Sequence, residues 1–467
     1  MSPERTASQA APGVIERERG LARQLSARQL AMIAIGGAIG TGLFLGSSLA
    51  VNAAGPAVVI TYLLGSVVAL LLMGALSEMA VAHPTAGSFG VYAELYLSPW
   101  AGFVIRYSYW ASQAVAIGGE AVAVAIYLGW WLPQVPLWVW IVAFSAALVY
   151  VNARSVGSFG EFEYWFAMVK VVAIVAFIVF GLGALAGLGA TPAIGLRNFT
   201  AHGGFFPHGL AGAWRAIVFV IFSFIGTEVV AVTAGEAKDP RATVPRAMRS
   251  MVGRLVAFYV GAIVVLIGVV PWNQVQPGAD VTASPFVKVF AMVGIPTAAH
   301  VLNFVVITAA LSSMNCNLYL ATRMMFSLSR GGYAPAALGR LSARGTPVNA
   351  LLLSAAGLAL ATLVAVFSDR AYVVLFGVAL FGGLFVWLMI FVTHFAFRRK
   401  LPPDELARLP VKLIGFPYTT ALGAALLLAI LITTWWVPGM RVTLVAGLPW
   451  LALLSLVYLA RRRIASG

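Results

Sequence analysis

Long apolar stretches alternate with short polar segments along the whole chain, and each stretch is close to the ~20 residues that a helix needs to cross a bilayer. The stretches lack the alternating pattern of a transmembrane β-barrel, whose strands repeat about every 10 residues. They predict an all-α integral membrane protein with twelve transmembrane helices. The predicted spans are residues 30–50, 57–80, 99–131, 137–152, 163–187, 211–234, 251–271, 299–328, 348–367, 371–397, 414–436 and 442–460.

The composition supports this class. Of the 467 residues, 61% are hydrophobic and 10% are charged, and the mean hydropathy is +0.94, whereas a soluble domain is about 45–50% apolar and about 25% charged.

The first apolar stretch follows a polar N-terminal segment and resembles a span more than a cleavable signal. The single cysteine, Cys316, and five scattered histidines offer no disulfide framework and no metal-ligand spacing. We therefore expect no metal and no cofactor.

The net charge of +15 is distributed unevenly. With twelve spans and the N-terminus inside, the cytoplasmic segments hold 24 of the 30 Lys and Arg residues. This asymmetry follows the positive-inside rule and predicts a protein of the inner (cytoplasmic) membrane with both termini cytoplasmic. The basic excess then contacts anionic lipid headgroups, not nucleic acid. The other six basic residues are the external Arg197, Arg215, Lys288, Arg370 and Arg441, and Lys170 inside the fifth span.

Four glycines interrupt the first span: Gly36, Gly37, Gly40 and Gly42. Each costs a helix interior roughly 1 kcal/mol relative to alanine. Unpaired peptide groups persist in a membrane only where they face protein or a wet cavity. Close helix packing through the small residues Gly36 and Gly40 is the alternative interpretation.

A second interruption lies in the sixth span, where Gly226-Thr227-Glu228 resembles Gly40-Thr41-Gly42. The two segments are five spans apart, so they cross the membrane in opposite directions, as in an inverted repeat. Paired breaks of this kind indicate the midplane substrate site of a transporter. Helix N-termini attract a carboxylate and freed carbonyls face an ammonium group, so a zwitterionic amino acid suits the pair.

An ordered set of motifs between about Gly20 and Arg399 resembles the amino acid–polyamine–organocation superfamily, specifically its bacterial amino acid transporter family of permeases. The motifs are Gly36–Phe44, Glu78-Met79, Pro84, Gly87-Ser88-Phe89, Gly160–Phe166, Gly203–Pro207, Phe222–Phe224, Gly226–Glu228, Gly235–Pro240, Arg323–Phe326 and Pro347–Ala350.

The resemblance implies a five-plus-five inverted repeat like that of the leucine transporter, with discontinuous first and sixth spans and two peripheral helices. The implied units are a cytoplasmic tail (1–28), a first repeat (29–190), a second repeat (205–400), the last two spans (411–462) and a cytoplasmic C-terminus (463–467). The implied function is amino acid import by proton symport with alternating access, by a monomer that is not an enzyme.

The resemblance also implies the substrate contacts. The carboxylate meets the N–H groups and hydroxyl around Thr41 and Gly42, and the amino group meets carbonyls in both breaks. Phe222 and Phe224 are candidates for an aromatic lid, with ordinary core packing as the alternative. The predicted substrate-binding residues are Ala38, Ile39, Gly40, Thr41, Gly42, Phe222, Ser223, Phe224, Ile225, Gly226 and Thr227.

Three ionisable residues lie inside predicted spans: Glu120, Lys170 and Glu228. Each costs about 2.5–3.5 kcal/mol at a helix centre, so each must face the interior, pair or stay neutral. In the resembling permeases a fifth-span lysine replaces a sodium ion between spans one, five and eight. Lys170 matches it as a proton switch, with Ser312 and Ser313 as hydroxyl neighbours. The alternative is snorkelling to the cytoplasmic interface.

Glu120 is expected to pair with Lys170 or to approach the substrate, with a structural hydrogen bond as the alternative. Glu228 is expected to gate the second break or relay a proton, with helix capping as the alternative. The acidic residues expected to make loop contacts or act in gating at cytoplasmic ends are Glu78, Glu161, Glu163 and Glu236.

Other functions remain open from the sequence. An exchanger or a nutrient sensor on the same fold would share these motifs, whereas a membrane-embedded enzyme would need a nucleophile–base or metal constellation that is not evident. The substrate is expected to be a neutral amino acid or γ-aminobutyrate, with a cationic amino acid as the alternative.

Overall fold

The computed structural model describes residues 13–40, 42–188, 193–275, 285–292, 297–367 and 371–466. Thr41 and Arg370, both singled out from the sequence, lie outside these ranges. Within them the regular structure is helical, with one isolated β-bridge between Leu25 and Ala237. The prediction of an all-α protein is confirmed for this part of the chain.

The helices are numbered here in chain order. A π-helical turn over Gly42–Gly46 precedes α2. The α-helices are α1 (Ala27–Ala38), α2 (Ser47–Ala54), α3 (Val58–Ala82), α4 (Ser88–Tyr96), α5 (Pro99–Trp131), α6 (Leu137–Arg154), α7 (Val156–Ala186), α8 (Gly209–Phe222), α9 (Val229–Thr233), α10 (Pro240–Val269), α11 (Pro285–Met292), α12 (Ala298–Arg330), α13 (Val348–Phe367), α14 (Ala371–Lys400), α15 (Pro403–Ala407), α16 (Tyr418–Thr433) and α17 (Val442–Ser466).

Eight helical segments of the described chain are long and apolar enough to cross a membrane, and α8, α16 and the first part of α13 are shorter apolar helices. Their burial differs widely. In the most apolar stretch of α12, 89% of residues are buried, whereas the corresponding figure is 17% for α6 and for α17. The exposed faces carry large apolar side chains such as Val142 and Leu456, which suits contact with lipid.

Helix α12, the most buried of the eight long apolar segments, packs along α5, and α14 also packs against α5. The short α1 contacts α7, α10 and α12, and it also contacts α9. The two interrupted helical segments, α1 with its π-helical turn and α8 with α9, therefore lie inside the bundle.

Two helices begin earlier than the sequence predicts. Helix α7 begins at Val156 because the Ser155 hydroxyl accepts a hydrogen bond from the Ser158 N–H. Helix α10 begins at Pro240 because the Asp239 carboxylate accepts one from the Ala242 N–H. Both are N-caps, which satisfy backbone donors that the first helical turn leaves unpaired. The longer α7 places Glu163 about two turns inside a helix.

Candidate functional site

The first break follows Ala38, where α1 ends. Ile39 leaves the helical conformation at φ −89° and ψ 88°, and the π-helical turn begins at Gly42. Leaving the helix frees carbonyl groups that would otherwise accept helical hydrogen bonds. The carbonyls of Gly36, Ala38 and Ile39 instead accept hydrogen bonds from side chains of other helices.

The second break lies between Phe222 and Val229, where a non-helical turn joins α8 to α9. Gly226 has φ +108°, and a Cβ atom there would collide with the carbonyl oxygen of Gly37. This position therefore requires glycine for its conformation and for close backbone approach. The two breaks touch each other at Gly226 and Gly37.

Tyr259 of α10 connects the two breaks. Its hydroxyl lies 2.7 Å from the Ala38 carbonyl oxygen and 2.6 Å from the Ser223 carbonyl oxygen. The side chain is buried, so the two carbonyls share its single O–H hydrogen away from water. Sequence reasoning missed this residue, because one tyrosine in a long apolar helix carries no signal of what its hydroxyl contacts.

A cavity of about 30 Å³ lies between the breaks, with room for one or two water molecules. It brings together eight of the predicted site residues: Ala38, Gly40, Gly42, Glu120, Phe222, Ser223, Ile225 and Ser313. Six further residues complete the lining: Gly37, Ser112, Gln113, Ala116, Asn317 and Ala379.

Four predicted substrate-binding residues do not line this cavity. Ile39 directs its carbonyl to Lys170, and Gly226 contacts Gly37. Thr227 is buried beside them. Phe224 packs against Tyr259, with ring centroids 4.8 Å apart, so its position agrees with core packing and not with a lid.

Phe222 does line the cavity. Its ring packs against that of Phe376, with centroids 3.9 Å apart. A partly exposed aromatic ring on the cavity wall is placed as a lid requires.

Lys170 is fully buried and reaches the first break. Its ammonium nitrogen lies 2.5 Å from the Gly36 carbonyl oxygen, 2.7 Å from the Ile39 carbonyl oxygen and 2.7 Å from the Ser312 hydroxyl oxygen. Snorkelling to the interface is incompatible with this burial. The lysine instead occupies a cation position formed by α1, α7 and α12.

Glu120 lies on α5 and lines the cavity. It accepts a hydrogen bond of 2.9 Å from Ser313, whereas Lys170 contacts the neighbouring Ser312. Adjacent residues on a helix point about 100° apart. The charge of Glu120 also interacts with Lys170, and the predicted pairing of the two side chains stays a prediction.

Glu228 holds the backbone of the second break through hydrogen bonds. Its carboxylate accepts hydrogen bonds from the Gly226 N–H at 2.9 Å, the Tyr109 hydroxyl at 2.6 Å and the Trp387 indole N–H at 3.1 Å. These contacts satisfy a backbone donor freed by the turn, as a capping side chain does. They agree with the capping interpretation of this residue.

The acidic residues expected at cytoplasmic ends separate into two groups. Glu78 forms an ion pair with Arg398, and Glu236 forms a buried pair with Arg323. Glu163 differs, because it is fully buried and accepts hydrogen bonds from Ser312 and Asn315. The expectation of a loop contact is wrong for Glu163, since the earlier start of α7 moves it into the bundle.

A family model described as "Amino acid permease" matches residues 29–464. The chain belongs to the amino acid permease family. This confirms the resemblance that the sequence motifs indicated. The protein is therefore a multi-pass cell-membrane transporter of small-molecule amino acids and not an enzyme.

Proteins similar to this chain are named for different substrates. The gamma-aminobutyric acid permease of Bacillus subtilis is 37% identical over 96% of this chain and 96% of its own length. The probable threonine/serine transporter of the same organism is 36% identical over 94% of each chain. The aromatic amino acid transport protein AroP of Escherichia coli is 37% identical over 95% of this chain and 97% of its own.

Proposed function

We propose that this permease imports a neutral amino acid by proton symport with alternating access. The observation that supports coupling is the contact of Lys170 with the Gly36 and Ile39 carbonyls, directly behind the break that lines the cavity. A protonated Lys170 holds this break in place, and loss of the proton weakens its hydrogen bonds to the carbonyls, because hydrogen bonds from charged donors are roughly twice as strong as neutral ones.

The substrate binds in the cavity between the breaks. Its carboxylate meets the N–H groups at the start of the π-helical turn, near Thr41 and Gly42, where helix ends leave donors unpaired. Its amino group meets the second break, where the buried Ser223 hydroxyl lines the cavity. Because the cavity is small, binding also requires the lid residue Phe222 to move.

The cavity lining supports a small neutral substrate. Ser112, Gln113 and Asn317 supply neutral polar groups, and the cavity of about 30 Å³ is small. The substrates named for the relatives differ although their identities to this chain are 36–37%. Overall identity therefore does not select among them, and γ-aminobutyrate belongs in the test panel.

The proposed architecture has twelve spans, with α1–α2 and α8–α9 each counted as one interrupted span, arranged as two inverted repeats (29–190 and 205–400) and two further helices (411–462). Both termini are cytoplasmic, which the distribution of Lys and Arg supports. The protein acts as a monomer with anionic lipid at its basic cytoplasmic face.

Uptake by proteoliposomes under an imposed pH gradient, without sodium, tests the proposal. Wild type should accumulate at least one neutral amino acid. Lys170→Ala should reduce accumulation at least about tenfold, a factor that a typical coupling free energy produces. Substrate binding should persist. The matched control is Lys412→Ala, which removes an exposed lysine.

Three results would contradict parts of the proposal. Unchanged accumulation by Lys170→Ala would remove the switch role of this lysine. A requirement for sodium would reassign the coupling ion. Failure to accumulate any amino acid in the panel would exclude import as proposed.

A further inference from the structure

A short polar chain extends from Lys170 away from the cavity. Lys170 donates to the Ser312 hydroxyl oxygen at 2.7 Å, and Ser312 in turn donates to the Glu163 carboxylate. All three side chains are fully buried. One hydroxyl thus connects a buried amine to a buried carboxylate.

The direction of each hydrogen bond is set by the chemistry of the groups. An ammonium has three N–H donors and no acceptor, and Lys170 has three acceptors around it: the Gly36 and Ile39 carbonyls and Ser312. The single hydroxyl hydrogen of Ser312 is therefore free to point to Glu163. This arrangement matches a charged Lys170 and a charged Glu163.

The other carboxylate oxygen of Glu163 also accepts a hydrogen bond. Asn315 donates to it at 3.2 Å, and Asn152 donates to the Asn315 side-chain oxygen at 2.7 Å. The titratable groups that interact electrostatically with Glu163 are Lys170 and Cys316. Glu120 interacts with Lys170 but contacts Ser313, on the cavity side.

We propose that Glu163 is the internal proton acceptor for Lys170. The inference rests on the proposed proton coupling and extends it. The Lys170 ammonium gives a proton to the Ser312 oxygen while the Ser312 hydroxyl proton passes to the Glu163 carboxylate. An ammonium and a carboxylate become an amine and a carboxylic acid, and the serine is unchanged.

The transfer leaves no group unpaired, because the direction of each hydrogen bond between Glu163, Ser312 and Lys170 can reverse. The Glu163 carboxylic acid then donates to Ser312, Ser312 donates to the lone pair of the amine, and two amine N–H groups remain for the Gly36 and Ile39 carbonyls. Both buried charges disappear in one step, which avoids leaving either charge uncompensated in the interior. The break loses its charged donor, so it becomes easier to rearrange.

Glu163→Gln tests this role, because it keeps the side-chain shape and removes the acceptor. We expect accumulation under a pH gradient to fall at least about tenfold. Exchange of internal for external substrate needs no net proton movement, so it should stay within about twofold of wild type. Glu161→Gln is the matched control, since Glu161 is exposed on the same helix and contacts Trp165.

Infrared difference spectra give a readout that a structural role would not change. Spectra of purified protein recorded at two pH values should show the C=O band of a protonated carboxyl group. The band should disappear in Glu163→Gln and persist in Glu161→Gln. Ser312→Ala removes the connecting hydroxyl and should lose accumulation, which provides a second test if Glu163→Gln does not fold.

The outcomes separate the two proposals. Glu163→Gln with wild-type accumulation, or an unchanged carboxyl band, would overturn the role of Glu163 while leaving Lys170 as the switch. Accumulation by Ser312→Ala at the wild-type level would exclude the hydroxyl route. Wild-type protein that shows no pH-driven uptake would instead refute the proton coupling on which this inference rests.

Discussion

Tyr259→Phe should loosen the substrate site without disturbing the packing around it. The substitution removes the hydroxyl that contacts the Ala38 and Ser223 carbonyls at 2.7 and 2.6 Å. The ring remains, and with it the contacts to Phe224 and Tyr62, whose centroids lie 4.8 and 6.2 Å away. The two breaks then lose the group that fixes one relative to the other.

The size of the effect follows from the two carbonyls. A buried polar group left without a partner costs about 1–3 kcal/mol. Because the two carbonyls share a single O–H hydrogen, we expect about 1–3 kcal/mol in total. With about 2.1 cal/mol/K of unfolding entropy per residue in globular proteins, 467 residues give about 1 kcal/mol/K. The Tm should fall by only about 1 to 3 °C.

Substrate affinity is the more sensitive measure, because a loss of 1.4 kcal/mol is a factor of ten in Kd. If the cost falls on the arrangement that binds substrate, Kd should rise at least about fivefold. Both quantities can be measured on detergent-purified protein, by thermal unfolding and by titration with the transported amino acid. Tyr418→Phe is the matched control, since this tyrosine is 81% exposed. Equal Kd and Tm in Tyr259→Phe and wild type would refute the bridging role.

Two further substitutions test the break and the cytoplasmic side. Gly226→Ala should abolish substrate binding and uptake, because the φ of +108° and the adjacent Gly37 carbonyl exclude a Cβ at this position. Gly46→Ala is the control, since a Cβ there meets open space and should be neutral. Normal uptake by Gly226→Ala would contradict this reasoning. Burial lowers the pKa of His83 from 6.5 to about 4, so the folded state should lose up to about 3 kcal/mol of stability as pH falls from 6.5 to 4. Thermal unfolding across this range should show a smaller loss in His83→Gln, and an identical pH dependence would exclude the effect.

The breaks could be predicted because their signal is local. Four glycines within seven residues are incompatible with a stable helix interior, and the structure interrupts α1 after Ala38 at that position. Gly226 was recognisable because Gly226-Thr227-Glu228 resembles Gly40-Thr41-Gly42. The need of Lys170 for a buried partner could be predicted because an isolated charge in an apolar span is costly, whereas its role as a proton switch was implied by the family resemblance.

The partners of these residues could not be predicted, because they depend on how distant helices align. Tyr259 and Glu163 lie on α10 and α7, and their contacts are on α1, in the second break and on α12. A shift of a few residues in either helix would turn the side chain to another face. Glu163 was also misplaced because the cap at Ser155 lengthens α7, which is a local signal that apolar periodicity overlooks.

The number of acceptors around Lys170 explains why lysine suits this position. Three oxygens lie within 2.5–2.7 Å of its nitrogen, which matches the three donors of an ammonium. A guanidinium has five donors in a fixed plane, so an arginine would leave some of them unpaired in a buried site, and it stays protonated at any physiological pH. A lysine can lose its proton, and the loss leaves one acceptor without a donor. A protonated Glu163 at the other end of the hydrogen-bonded chain supplies the missing donor, because Ser312 can then donate to the amine.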